Sequence, residues 1–338
     1  MDRISDGRLR PGDRISTEAE LMQQYGVSRI TAQRALSELK QAGVLMRKPR
    51  AGSFVAPSRS SCLEGAEAMA EHRSIGVVAP FVLEQSDTYH YLDGIMQAIS
   101  RSRDNVMLRS TLGTIPKDRE MLEACLSDGC EGVLYYPGGE DAPPVDLLAR
   151  MSAWGIPCVL LDKPVAGVDM PCVRTDNVHA AYVVTAHVLS KGHRNLVYLA
   201  DGRTIPAYER YRGFCRALEE KGLGSLWENH FLILEKKDAL EDEIAGWRAQ
   251  GVTAVCCAND WVARAVVDAC GQMGVDVPGE LAVAGFDGMY RGEITSMLQP
   301  YAKIGRTAAQ RLLSWIASGE DTREDVFLEA VLVEGKTV

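Results

Sequence analysis

Residues 12–55 read GDRISTEAELMQQYGVSRITAQRALSELKQAGVLMRKPRAGSFV, and the order of features within them decides how the chain begins. Thr17 with Glu20 three positions on is a capping box, which starts a helix. Leu21 and Tyr25 follow at i, i+4 spacing and are expected to face inward. Gly26 permits the left-handed backbone that a tight turn demands. Ser28 caps a second helix, whose expected buried stripe is Ala32, Ala35, Leu36 and Leu39. That stripe leaves Arg29, Thr31, Gln33, Arg34 and Lys40 off the buried face. Gly43 ends the helix, and residues 44–47 and 53–55 read as short strands around a basic tip, Lys48-Pro-Arg-Ala-Gly52. Two helices across a turn, followed by such a hairpin, make a winged helix-turn-helix, an α+β unit. The start of its second helix meets base edges, where Arg reads guanine and Gln reads adenine. The basic hairpin tip lies along phosphates or enters the minor groove.

Charge supports this division of the chain. The 338 residues carry a net −9, but residues 1–60 are net +5 and the remainder net −14. A basic head on an acidic body is what a DNA-binding domain beside a small-molecule domain gives. The nine cysteines are scattered, with no CxxC pair, and Cys256-Cys257 are adjacent. That spacing suits neither zinc nor a disulfide framework, so no metal or other cofactor is expected. Cys158, Cys172 and Cys256 sit in apolar runs and read as buried thiols of a reducing compartment. No signal peptide opens the chain and no apolar run spans a bilayer, so the expected location is cytoplasmic, with no membrane partner.

The chain reads as three segments: the head at 1–57, a small, polar linker at 58–73 with a short helix at 66–72, and a body at 74–338. In the body, apolar β-rich runs alternate with helical stretches. Strands are expected at 74–79, 106–110, 132–136, 158–162, 195–200, 229–234, 253–257 and 281–285. Helices are expected at 92–102, 117–127, 145–154, 177–191, 209–221, 238–249 and 260–273. Such alternation means parallel sheets with helices on both faces. Two units in series imply two doubly wound α/β lobes with a ligand between them, at the carboxyl ends of the strands.

Polar residues gather at those strand ends: Asp162 and Lys163, Asn259 and Asp260, and Asp287. Carboxylates and amides held there suit a polyhydroxylated ligand, since each binds one or two hydroxyls. Tyr89, Tyr91 and Trp261 could cover the apolar face of a sugar ring. For Asp260 and Asp176 the competing role is a helix N-cap. No catalytic constellation competes: GxGxxG after the first strand, a Walker loop, HExxH and GxSxG are all missing. His193, in Lys-Gly-His-Arg, reads as a structural turn residue rather than a base.

The head resembles the GntR family of bacterial regulators. The matching residues are Gly12-Asp-Arg-Ile-Ser-Thr-Glu18, Val27-Ser-Arg-Ile-Thr-Ala-Gln-Arg-Ala-Leu36 and Arg50-Ala-Gly-Ser-Phe-Val55. Ser16 replaces the usual proline, Gln33 the usual arginine and Ala51 the first wing glycine. Family members carry a further helix ahead of the Gly12 segment, so that helix is expected to be abbreviated or cut off here. The resemblance implies a DNA-facing set of Arg14, Thr17, Ser28, Arg29, Thr31, Gln33, Arg34, Lys48, Arg50 and Gly52.

The body resembles the effector domain of LacI/GalR repressors, which is similar in fold to periplasmic sugar-binding proteins. Gly155-Ile-Pro-Cys-Val-Leu-Leu-Asp-Lys163, Val173-Arg-Thr-Asp-Asn177, Lys191-Gly-His-Arg194 and Arg210-Tyr-Arg-Gly-Phe214 carry the match. So do Ala258-Asn-Asp260, Val283-Ala-Gly-Phe-Asp287 and Gln299-Pro-Tyr-Ala-Lys-Ile-Gly305. It implies that Asp162, Lys163, Arg210, Asn259, Asp287 and Gln299 line the ligand cleft, joined by Asp87 and Tyr89 from an irregular loop. Lys163 stands where relatives often carry Arg, and the late Leu-x-x-Arg-Gly-Ser segment reads Leu332-Val-Glu-Gly-Lys336. One lobe is expected to comprise about 74–172 with 293–320, the other 173–292 with 321–338.

A GntR-like head on a LacI-like body resembles the arabinose-repressor subgroup. It implies a homodimeric regulator on double-stranded operator DNA, a repressor released by a sugar, with no enzymatic activity. A sugar-binding protein without DNA function and a sugar-modifying enzyme are the alternatives. The helix-turn-helix opposes the first, and the lack of a catalytic dyad or cofactor loop opposes the second.

Overall fold

The computed structural model describes residue 13 and residues 15–41, 45–48, 52–55, 73–80, 88–100, 102, 104–111, 115–138, 143–223, 231–234, 240–321 and 323–338. The chain divides into two units, Met1–Glu71 and His72–Val338. The expected linker, apart from Arg73, and its short helix lie outside the described residues.

In the first unit, α1 (Glu18–Tyr25) opens on the expected capping box. Thr17 Oγ1 accepts from the Glu20 amide at 3.3 Å, and Glu20 Oε2 accepts from the Thr17 amide at 2.7 Å. Gly26 closes the helix at φ 64° with its amide on the Met22 carbonyl. In α2 (Arg29–Gln41) the Ser28 hydroxyl accepts from the Thr31 amide at 3.2 Å. Strands β1 (Leu45–Lys48) and β2 (Gly52–Val55) pair antiparallel, with Lys48 opposite Gly52. The Ile15 amide donates to the Ser53 carbonyl at 2.8 Å, which ties the segment before α1 to the wing.

Two inward-facing expectations fail here. Tyr25 is 58 % exposed, because it is the last residue before the Gly26 turn carries the chain away. Ala35 is exposed, while Ala32 is buried and Leu36 and Leu39 half-buried. At 3.6 residues per turn the latter three lie within about 40° of one line, and Ala35 about 60° off it. The buried stripe is narrower than the spacing suggests.

The second unit runs β3 (Ser74–Ala79), α3 (Thr88–Ile99), β4 (Asn105–Ser110), α4 (Ile115–Ser127), β5 (Gly132–Tyr135), α5 (Val145–Ala153), β6 (Cys158–Leu161), β7 (Cys172–Thr175). It continues α6 (Asn177–Ser190), β8 (Leu196–Ala200), α7 (Ile205–Glu220), β9 (Phe231–Ile233), α8 (Leu240–Ala249), β10 (Ala254–Cys257), α9 (Asp260–Met273), β11 (Ala282–Ala284). It ends β12 (Ser296–Leu298), α10 (Tyr301–Ser318), β13 (Val326–Leu328), β14 (Val331–Val333).

Two parallel sheets result. The first has the order β13-β7-β6-β5-β3-β4, the second β11-β10-β8-β9. Successive strand residues alternate between two cores, as a doubly wound lobe requires. In the first lobe Ile75, Val77, Leu134 and Val159 pack under α3 and α10, while Val78, Val133, Cys158 and Leu160 pack under α4 and α5. In the second, Leu196 and Tyr198 face α6 and α7, while Val197 and Leu199 face α8 and α9.

Helices α3 and α10 approach so closely that neither contact glycine has room for a side chain. A Cβ on Gly94 would lie 1.8 Å from the Ala302 carbonyl oxygen, and one on Gly305 2.1 Å from that of Tyr91.

The chain passes between lobes three times, after Thr175, after Leu298 and after Leu328, which shifts each expected crossing. β7 pairs with β6 and β13 in the first sheet, and β12 pairs with β14 beside the second. These are strands of three or four residues, too short to stand out in sequence, and β7 is interrupted by the charged Arg174. The residues after β14 seal the second lobe. The Thr337 carbonyl accepts from Val283, its hydroxyl accepts from the Thr295 amide at 3.0 Å, and Lys336 donates to the Glu293 carbonyl. Helix α7 begins four residues earlier than its apolar spacing suggests. The Thr204 hydroxyl caps it on the Ala207 amide, and Pro206 sits in its first turn.

Candidate functional site

In the head, Ser28, Arg29, Thr31, Gln33 and Arg34 are all exposed on the N-terminal half of α2. Arg29 and Gln33 share a helix face at i, i+4 spacing. Thr17 and Ser28 accept helix-capping amides with their hydroxyl oxygens, which fixes the helix starts and leaves each hydroxyl a donor. Lys48 and Gly52 face each other across the wing. Arg14 and Arg50 lie outside the described residues.

In the body, the polar strand ends converge from both lobes. Asp162 follows β6 with φ 65°, and Asp287 follows β11 with φ 118°. A non-glycine residue held at positive φ is costly, and such strain collects at ligand sites. Arg210, on α7, is buried at 6 % exposure. Its Nε donates to Asn177 Oδ1 at 2.9 Å and its Nη1 to the Ala258 carbonyl at 2.6 Å. Nη1 also stands 3.6 Å from Asp287 Oδ1, and the guanidinium lies 3.7 Å over the Phe286 ring. Burial alone would lower the Arg210 pKa, but the carboxylates of Asp287 and Asp162 raise it above the ordinary value. Gln299, between β12 and α10, donates from Nε2 to Asp287 Oδ1 at 2.7 Å and to Tyr301 OH at 3.2 Å. Its Oε1 accepts from Thr175 Oγ1 at 2.6 Å.

From there rings lead to Asp162. Tyr91 stands 5.2 Å from Tyr301 and 5.6 Å from Tyr136 by ring centroids, and Tyr136 OH donates to Asp162 Oδ2 at 3.5 Å. Lys163 Nζ lies 5.2 Å from the Tyr136 ring centroid. The other oxygen of Asp162, Oδ1, is buried and accepts no hydrogen bond from any described residue. A buried carboxylate oxygen left in that state calls for a donor.

Arg210, Asp287, Gln299, Asp162 and Lys163 therefore share one neighbourhood. Asn259 stands at its edge with both polar atoms engaged: Oδ1 caps α9 on the Val262 amide and Nδ2 donates to Asp201. The cap is thus Asn259 and not Asp260. Asp260 is buried and accepts from the Met289 amide at 2.6 Å and from Ser296 Oγ at 2.7 Å. Asp176 does cap α6, on the His179 amide. Tyr89 and Trp261 are exposed at 65 % and 53 %, and Tyr91 is buried. Asp87 lies outside the described residues. His193 bonds Thr253 Oγ1 at 3.0 Å, and its pKa is lowered by burial and by Arg194, which suits a structural turn.

Sequence reasoning missed Thr175, Asn177, Glu209, Tyr136 and Tyr301. Asn177, just past the crossing after Thr175, joins the site to Glu209, since its Nδ2 donates to Glu209 Oε2 at 3.0 Å while its Oδ1 holds Arg210. Glu209, on α7 of the second lobe, accepts from Arg174 Nη1 at 2.5 Å, and Arg174 on β7 of the first lobe also pairs with Asp325. An ion pair thus spans the lobes one residue from Arg210.

A cavity of about 720 Å³ lies elsewhere, at the opposite end of the second sheet, lined by Val197, Leu232, Trp247 and Val252 with Asp242 and Glu243. None of the expected site residues lines it. Among the described residues, no cluster of His, Cys, Asp and Glu could hold a metal, and no helix is long and apolar enough to cross a membrane.

Residues 1–55 match the profile of the bacterial regulatory proteins of the gntR family, and residues 185–338 that of the periplasmic binding protein-like domain. With the two-lobed fold, these matches give the chain the domain pair of a transcription regulator, a gntR-type head ahead of a periplasmic-binding-protein-like body. Among named proteins the chain is similar to the arabinose metabolism transcriptional repressor of Halalkalibacterium halodurans, 26 % identical over 99 % of this chain and 92 % of that protein. The repressor of the same name from Geobacillus stearothermophilus is 25 % identical over 93 % of this chain and 88 % of its own length. Of solved structures, the transcription regulator CcpA of Lactococcus lactis superposes with a TM-score of 0.69 at 20 % identity, covering 79 % of this chain and 99 % of that one.

Proposed function

We propose that this chain is a sugar-responsive repressor. Its α2 reads operator DNA in the major groove, its lobes close on a monosaccharide, and closure releases the operator. The protein acts in the cytoplasm as a homodimer, two heads on a two-fold axis meeting two half-sites. The observation that carries the reading is the buried network of Asp162, Arg210, Asp287 and Gln299 drawn from both lobes, with Asp162 Oδ1 still lacking a donor. Alternating carboxylates, amide and guanidinium, flanked by tyrosine rings, suit ring hydroxyls on one side and an apolar sugar face on the other. The names of the two repressors above point to a pentose. A sugar that binds both lobe arrangements equally shifts nothing, so release requires tighter binding to the closed form.

The test pairs two measurements on the full-length protein. Thermal unfolding is followed against a panel of pentoses and hexoses, where binding to the folded state raises the midpoint by mass action. The same sugars are then titrated into a complex with a duplex selected by the protein from random sequence. One monosaccharide should raise the midpoint and dissociate the duplex. A panel in which no sugar shifts the midpoint overturns the sugar assignment. A sugar that shifts it but leaves DNA bound overturns release.

The DNA face makes its own prediction. Arg29→Ala should weaken binding to the selected duplex by about 1–3 kcal/mol and relax preference at one base pair. Unchanged affinity at fixed salt would remove α2 from the groove.

A further inference from the structure

Two thiols of the first lobe are placed differently from the other described cysteines. Cys125 lies in the last turn of α4, and Gly129, at φ 76°, turns the chain back so that the Cys130 amide donates to the Cys125 carbonyl at 3.0 Å. Both sulfurs sit over one glycine of β3. A Cβ on Gly76 would lie 2.8 Å from Cys125 Sγ and 3.5 Å from Cys130 Sγ. The missing side chain is what makes room for the pair. Met107 Sδ lies 3.5 Å from Cys130 Sγ, and Arg109, two residues further along β4, pairs with Asp128 in the same turn.

From this placement we infer that Cys125 and Cys130 form a peroxide-sensitive dithiol that closes to an intramolecular disulfide. Neither the cleft nor the DNA face takes part, so the inference stands apart from the functional reading.

The local chemistry supports an order of attack. A hydrogen bond from the Cys125 thiol lowers the Cys130 pKa and the Arg109 charge lowers it further, while burial and the Asp128 carboxylate oppose this. The Cys125 thiol is raised by the same partner and by burial, against a lowering by Arg109, which reaches both thiols. Cys130 keeps 8 % exposure at the turn while Cys125 is fully buried, so Cys130 meets the peroxide first and Cys125 is the resolving thiol. The Cys130 thiolate attacks a peroxide oxygen, the O–O bond breaks, and the departing oxygen takes a proton and leaves as water. Cys130 is left as a sulfenic acid. Cys125 sulfur then attacks Cys130 sulfur, the S–S bond forms, the S–O bond breaks, and a second water leaves. Two thiols lose two electrons and one hydrogen peroxide becomes two waters.

At other described cysteines burial raises the thiol pKa. It pushes Cys158 and Cys256 up to about 12 and Cys215 to about 11. Cys256 and Cys257 are neighbours in β10 but point into opposite cores.

The experiment uses the unmutated full-length protein exposed to hydrogen peroxide, alkylated and digested with trypsin. Cleavage after Arg119 and Arg150 leaves both thiols in one peptide. That peptide should lose two hydrogen atoms, resist alkylation and recover with dithiothreitol, at peroxide doses that leave Cys158 and Cys256 fully alkylated after unfolding. A peptide that stays alkylatable while other cysteines oxidise overturns the proposal. Cys125→Ser should let dimedone trap a sulfenic acid on Cys130, and Cys130→Ser should leave Cys125 unreactive. Trapping on Cys125 in the second variant at the rate of the first overturns the order of attack.

Discussion

Arg210→Met should abolish sugar binding and cost the protein about 3–5 kcal/mol of stability, the penalty for removing one partner of a buried charge pair. The guanidinium holds Asn177, the Ala258 carbonyl and Asp287 at once and stacks on Phe286. Methionine fills the volume but supplies no donor and no charge, so Asp287 faces its buried site without the opposing cation. Effector affinity should fall by at least about 100-fold, the worth of two charge-assisted hydrogen bonds. Calorimetric titration with the inducing sugar and urea unfolding read the two losses separately. Arg210→Lys separates them further. It keeps a cation near Asp287 but not the planar fork, so it should recover most stability and little affinity. Sugar affinity retained within a factor of two in the methionine variant would take Arg210 out of the binding site.

Gly305→Ala should be among the most damaging single-methyl additions, as should Gly94→Ala across the same contact. Its Cβ would sit 2.1 Å from the Tyr91 carbonyl oxygen, a backbone atom that cannot swing aside. Helices α3 and α10 must separate, and overpacking of this kind costs about 1–3 kcal/mol or more. The damage reaches the site, because Tyr91 and Tyr301 ride on those two helices and link Gln299 to Tyr136. Both unfolding midpoint and sugar affinity should drop. Gly246→Ala, in α8 with nothing within 4 Å of the new Cβ, is the matched control. It should be neutral or stabilising by up to about 1 kcal/mol through helix propensity. Equal effects at both positions would mean that close helix packing is not what the glycine serves.

What could be read from sequence was mostly local. The capping box at Thr17 and Glu20 needs only three-residue spacing, and both bonds are present. The β/α alternation shows in runs of apolar residues, and it dictates two doubly wound lobes. Short crossing strands escaped, since β7 reads Cys-Val-Arg-Thr and its membership in the first sheet depends on residues 326–328. The candidate site divides the same way. Asp162, Lys163 and Asp287 are visible as polar residues at strand ends. Arg210 and Gln299 came from resemblance alone, because nothing in their own segments marks them. Thr175 meets Gln299 across 124 positions, and Asn177 meets Glu209 across 32. No spacing rule reaches so far. Tyr25 and Ala35 were misread for a different reason, that periodicity gives the direction of a face but not its width or where the helix ends.

The triple crossing between lobes also bears on how the protein is made. The first lobe lacks α10 until residue 318 and its edge strand β13 until residue 328 has been translated, and the second lacks the bonds of Thr337 until residue 337. The helix-turn-helix and wing are complete by residue 55. At roughly 5–20 residues per second the nascent head waits some tens of seconds for a finished sensor. A ribosome that stops between residues 305 and 336 leaves a chain with its helix-turn-helix segment made and at least one lobe unfinished. On the repressor reading proposed above, such fragments would keep the helices that meet DNA without the lobes that release it.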